Sequence, residues 1–292
     1  MTLRLSTERT VVHTTASDAN THTAREHCVA GHGDVRIGYV REGDGPTIVI
    51  LPSLARGSAD YDDVAPLLAA RGFRVIRPDP RGIGVSTGPM DGLNLHHFAA
   101  DVAAVLDHEQ CTGTVVVGHA WGSQPARMLA MDRPDLVSGL VMAAASAGKM
   151  PPGSNEKPYS RLRDAIDGAG NLDLPDEVRM ECLRQAFFAP GHDPSSWMTG
   201  WSTSTHHAQS HARNITPIDE YFAGGTVPIL DLQAEHDAVV IPNIFKPMLG
   251  ERVTESVIAD AAHALAPEQP EAFAEAIASF AHSVLESESR TQ

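Results

Sequence analysis

One stretch of the chain frames its chemistry. Residues 114–124 read Thr-Val-Val-Val-Gly-His-Ala-Trp-Gly-Ser-Gln. The apolar run Val115 to Val117 meets Gly118, and Gly122, four residues on, opens a helical pattern. Two glycines around three residues at a strand-to-helix junction describe a sharp, crowded turn. In the pattern G-x-S-x-G, such a turn holds a serine hydroxyl clear of both strand and helix as a nucleophile. Here the central residue is Ala120. It has no lone pair to offer, so no acyl-enzyme can form on it. Ser123 lies about one turn into the following helix and should point elsewhere, whereas Ser146 follows the next strand.

Two later residues supply proton chemistry. His263 lies in Asp260-Ala261-Ala262-His263-Ala264-Leu265, a small-residue loop between the last strand and the last helix. A histidine can both accept and donate a proton near neutral pH. Asp237, in Gln233-Ala234-Glu235-His236-Asp237, would hold that imidazole in one tautomer and stabilise its charged form. Glu235 is a nearby substitute acid. Trp197 and Trp201, with Phe187 and Phe188, are expected to line or cover a pocket. Beside the elbow, His119 is a candidate substrate contact or a packing histidine. His206, His207 and His211 invite a metal reading, but no carboxylate or cysteine follows at ligand spacing in what reads as a polar loop. Neither a metal nor a cofactor is expected. Gly82 and Gly84 lack the G-x-G-x-x-G spacing of a dinucleotide site.

The elements that must position these groups alternate. Strand patterns cover Thr47–Leu51, Phe73–Pro78, Thr114–Val117 and Leu136–Ala144, and helical patterns cover Asp60–Arg71, Leu95–His108 and Ser123–Arg133. Alternation of this kind favours a mainly parallel sheet with helices on both faces. A short hairpin, His27–Ala30 and Val35–Arg41, precedes it. From Ala147 to about Gly225 the buried-strand runs stop, and helical stretches are expected near Tyr159–Gly168 and Asp176–Phe188. Val227–Leu232 resumes the sheet. Pro242–Leu249 is helical, Arg252–Ile258 is a last strand and Pro270–Leu285 a closing helix.

Composition bounds the partners. The 292 residues carry 22 Lys+Arg against 37 Asp+Glu, a formal charge of −15. That balance argues against nucleic acid and against an anionic membrane surface. Three scattered cysteines support neither a disulfide framework nor a zinc site, and a reduced, cytoplasmic setting is the default. The first 25 residues lack a signal-peptide core and read as a flexible extension. No apolar run approaches membrane-spanning length.

In order and spacing, the chain resembles the α/β-hydrolase fold superfamily over roughly residues 26–285. Pro52-Ser53-Leu54 stands where that family usually has His-Gly-x after the third strand. Asp79-Pro80-Arg81-Gly82-Ile83-Gly84-Val85-Ser86 matches its D-x-R-G-x-G-x-S loop. Gly118 to Gly122 is the elbow, Asp237 stands at the acid position and His263 at the base position. The resemblance implies a doubly wound, mostly parallel eight-stranded sheet, with a core at 26–146 and 226–292 and a helical cap at 147–225. It also implies an oxyanion hole made by the backbone N–H groups of Leu54 and Trp121. Ser53 could add a hydroxyl donor.

The function implied is that of a serine hydrolase or esterase-like enzyme acting on a small, mostly apolar ester or lactone, as a monomer or homodimer. Ala120 leaves two readings open. It is a deliberate Ser→Ala change, or a native alanine in a site where His263 and Asp237 run base chemistry on substrate or water. A cofactor-free oxygenase or lyase and a non-catalytic binder are the alternatives on the same fold.

Overall fold

The computed structural model describes residues 24–149 and 162–289. Almost all of the expected N-terminal extension lies outside the described residues, as do Pro151-Pro152-Gly153 and the start of the Tyr159–Gly168 stretch. Strands β1 (Glu26–His32) and β2 (Val35–Glu42) form an antiparallel hairpin, and β2 runs antiparallel to β4 (Arg74–Pro78). The remaining strands are parallel to β4: β3 (Thr47–Leu51), β5 (Thr114–His119), β6 (Val137–Ala143), β7 (Ile229–Ala234) and β8 (Val253–Ile258). Together they make one eight-stranded sheet in the order β1-β2-β4-β3-β5-β6-β7-β8.

Every residue of β3, β5, β6 and β7 is buried. Their largely apolar runs follow from helices covering both faces. Because side chains alternate along a strand, Ile48, Ile50, Val115 and Val117 enter one core while Val49, Leu51 and Val116 enter the other. Helices α1 (Ala65–Ala69) and α9 (Pro270–Ser289) close the first core, and α2 (Leu95–His108) and α3 (Ser123–Asp132) close the second. Between β6 and β7 lie α4 (Arg163–Ala169), α5 (Asp176–Ala186), α6 (Thr203–Ile215) and α7 (Ile218–Tyr221); α8 (Phe245–Leu249) follows β7. No described helix is long and apolar enough to cross a membrane.

Two expected elements differ. The helix expected over Asp60–Arg71 is a 3-10 turn at Ser58–Tyr61 followed by the short α1. Pro66 sits in the first turn of α1, and its ring would clash with the carbonyl four residues earlier if the helix ran through. Conversely, the stretch around His206–His211, read as a loop, is the 13-residue helix α6. Ser202 caps it by accepting from Thr205 N–H.

One buried carboxyl in the sheet makes stability depend on pH. Asp231 on β7 is 3% exposed and accepts from Gln233 Nε2 at 2.9 Å. Burial pushes its pKa up to about 6. The folded state therefore keeps a proton that the unfolded chain releases above about pH 4. Stability from this group is complete below that pH and is lost as pH rises through about 6. Asp231→Asn should therefore stabilise the protein above pH 6 by roughly 2 kcal/mol more than it does at pH 4. Urea melts of both proteins at the two pH values check this, and an equal difference at both would refute it.

Candidate active site

The parallel strands bring four loops to one edge of the sheet. Leu51 of β3 sits opposite Gly118 of β5, and Ala234 of β7 opposite Ile258 of β8. The segments that follow β3, β5, β7 and β8 carry Leu54, Ala120, Asp237 and His263 respectively. Ala120 has φ +49°, a left-handed conformation that a non-glycine residue holds only under strain. Its neighbours explain how the strain persists. A Cβ on Gly118 would run into Ser123 Cα and come within 2.6 Å of the Gly122 carbonyl oxygen. A Cβ on Gly122 would strike the Leu51 carbonyl oxygen and come within 2.7 Å of that of Pro52. The elbow is thus pressed directly against the strand and loop that hold Leu54.

His263 Nδ1 lies 2.9 Å from Asp237 Oδ2, and both side chains are about 95% buried. A carboxylate accepts, so Nδ1 carries the proton and Nε2 keeps its lone pair. The other carboxylate oxygen of Asp237 accepts from the backbone N–H groups of Val239 at 2.8 Å and Val240 at 3.3 Å. Glu235 is turned away and accepts from Asp260 N–H. Glu268 grips the His263 loop from below. Its carboxylate accepts from Ala262 and Leu265 N–H and also from Ala189 N–H.

His119 belongs to this support and not to the cavity wall, against the expectation of a substrate contact. It is fully buried, and its Nε2 donates to the His263 carbonyl oxygen at 2.7 Å. Its Nδ1 therefore accepts from Tyr61 Oη at 2.9 Å. Burial, with His263 adding to it, holds its pKa down to about 3, so the ring stays neutral. Ser123 donates its hydroxyl to the Ala120 carbonyl and is no substitute nucleophile.

A cavity opens above Ala120 and His263. Ser53, Leu54, Trp121, Phe187 and Trp201 line it, as the sequence suggested. Ser146, Gln124, His206, Ser210 and Arg213 also line it, so polar groups stand within a wall that Ile166, Val239 and Val240 help keep mostly apolar. Trp197 does not reach it. That indole is 1% exposed and packs at 5.5 Å from Phe187, 5.6 Å from Phe188 and 6.1 Å from Trp201, centre to centre. Phe188 stays with it, buried and off the wall. The Arg56 guanidinium lies 4.8 Å from each of the Trp197 and Trp201 rings and also pairs with Asp60. Arg56 thereby ties the aromatic segment to the loop carrying Leu54.

Sequence reasoning missed Gln209. Its side-chain oxygen accepts from Ala55 N–H at 2.7 Å, and its carbonyl accepts from the Trp121 indole at 3.3 Å. One residue of α6 thus braces both expected oxyanion segments. Only the helical spacing of Thr205, Ala208, Gln209 and Ala212, all buried, could have found it. His207 and His211 are exposed, and no group of three His, Cys, Asp or Glu among the described residues is arranged to hold a metal.

Comparison with known proteins agrees with this fold. Residues 46–270 match the family model described as alpha/beta hydrolase fold. A pyrethroid hydrolase from Sphingobium wenxiniae is 30% identical over 247 residues, 80% of this chain and 86% of the relative. A non-heme haloperoxidase from Rhodococcus erythropolis is 34% identical over 230 residues, covering 73% and 82%. A soluble epoxide hydrolase from a Corynebacterium is 36% identical over 107 residues, and that match spans only 37% of either chain. Among solved structures, a Rhodococcus esterase superposes with a TM-score of 0.72 at 24% identity, over 88% of this chain and 99% of the other.

Proposed function

We propose that this chain, which belongs to the α/β-hydrolase fold family, is a hydrolase that uses His263 to activate water against a small carbonyl compound such as an ester or lactone. The observation that carries this reading is the buried His263–Asp237 pair, 2.9 Å apart, whose His263 lines the cavity that also contains Ala120. His263 Nε2 takes a proton from water as the water oxygen bonds to the carbonyl carbon. The carbonyl oxygen becomes an oxyanion that accepts from the Leu54 and Trp121 backbone N–H groups. Asp237 stabilises the imidazolium. The proton then passes to the leaving oxygen as its bond to carbon breaks, giving an acid and an alcohol and restoring neutral His263. Relatives named for hydrolysis support water as the second reactant.

The strained backbone at Ala120 favours a second route within the same frame. An elbow held at φ +49° would present a serine hydroxyl as readily as it presents the alanine methyl. Ala120→Ser should therefore react with a fluorophosphonate probe and turn over short p-nitrophenyl esters through an acyl-enzyme. The unchanged protein should escape labelling yet hydrolyse the same esters slowly, in a reaction that His263→Gln removes. If neither form turns over any ester, the hydrolytic reading fails. If hydrolysis by the unchanged protein survives His263→Gln, the base has been misassigned.

A further inference from the structure

We propose that Arg213 gives the cavity a carboxylate-binding end, so that the substrate is a carbonyl compound that also carries a carboxylate. This deepens the hydrolytic reading and rests on it for the reacting group. On α6, His206, Ser210 and Arg213 follow one another at four- and three-residue spacing, so they share one helical face. All three line the cavity that contains Ala120 and His263. The adjoining face, Thr205, Ala208, Gln209 and Ala212, is buried in the body of the protein. The helix is therefore fixed by one face and offers the next to the occupant.

Arg213 is partly buried, yet it donates no hydrogen bond and pairs with no carboxylate among the described residues. That is unusual in this chain, where acids outnumber Lys+Arg by 37 to 22. Arg81 engages both oxygens of Asp101, Arg56 engages Asp60, and Arg133 engages Asp107 and Asp135. The other charges on the cavity wall do not cancel Arg213. Asp167 already faces Arg163 at 3.9 Å. His206 is pushed below its ordinary pKa by burial and then by His207, which keeps it neutral near pH 7. One positive charge is left over, on a planar fork suited to a carboxylate. The wall holds a second unmet group, since the Gln124 side chain is 5% exposed and its amide oxygen has no partner among the described residues. As an acceptor, that atom is matched by an N–H or O–H donor elsewhere on the occupant and not by a hydrocarbon.

The test reads binding, not turnover. Trp121 and Trp201 both line the cavity, so indole fluorescence reports occupancy. Succinamic, glutaramic and adipamic acids are titrated against the matching uncharged diamides, at low and high salt. The unchanged protein should bind at least one acid about tenfold or more tightly than its diamide, as a charge-assisted pair at a shielded site requires. The preference should shrink as salt is added. Arg213→Gln should remove the preference while leaving diamide affinity and Tm in place. Arg213→Lys should restore part of it. The proposal is overturned if no acid binds, if acids and diamides bind equally, or if Arg213→Gln keeps the preference. Since no bond is broken here, failure of this proposal leaves the His263 experiments standing. Failure of ester turnover, in turn, would not alter the binding result.

Discussion

Replacing His263 with glutamine is expected to lower kcat/KM for any ester the protein turns over by about a thousandfold, within the range a positioned general base contributes. Glutamine is chosen because alanine would leave the Asp237 carboxylate buried with only its two backbone donors. A glutamine amide can still donate to Asp237, so the fold should survive and the loss can be read as chemistry. Asp237→Asn should cost a similar factor for a different reason. Its amide can donate to Nδ1, which would move the imidazole proton to Nε2 and remove the lone pair facing the substrate. Steady-state kinetics of both variants beside the unchanged protein settle the matter, and a variant that retained a tenth of the original rate would place the base elsewhere.

The second large effect concerns the elbow. Gly122→Ala is expected to destabilise the fold by more than about 3 kcal/mol, at or beyond the usual range for overpacking a core. The atoms that a Cβ would meet are backbone carbonyls of Leu51 and Pro52, not side chains that could swing aside. Leu51 is in register with Gly118, so it cannot retreat without breaking the β3–β5 ladder. Gly191→Ala is the control. Unlike Gly122, whose φ is −57°, it has positive φ, at +93°, but open space around the new methyl, so it should cost only the conformational penalty of about 1–2 kcal/mol. Urea denaturation of the two variants separates crowding from strain. If both lose the same stability, the close approach at the elbow is not what requires glycine there.

The segment between β6 and β7 shows why part of the site could not be read in advance. Trp197 and Trp201 are four residues apart and chemically identical, yet one is sealed behind the other. Trp201 reaches the cavity, while Trp197 is enclosed by Phe187, Phe188 and Arg56. Nothing in their spacing separates wall from core, because the partners that enclose Trp197 come from distant segments. Helix α6 was hidden for a related reason. Its cavity face carries His206, Ser210 and Arg213, so the apolar stripe that marks a helix is narrow, and small alanines supply much of it. Polar side chains that serve a cavity look, in sequence, like those of a loop.

By itself the sequence determined the layered α/β core and the candidate groups at its edge. Strands buried on both faces must be largely apolar, and Gly118 and Gly122 bracket a turn that few other residues can enter. These are local constraints, written in neighbouring residues. The tertiary structure alone decided which groups meet. It brought His263 to Asp237, withdrew His119 and Trp197 from the cavity, and left Arg213 facing it without a partner among the described residues. Each of those outcomes depends on loops far apart in the chain converging at one sheet edge, and no pattern of neighbouring residues encodes the distances between them.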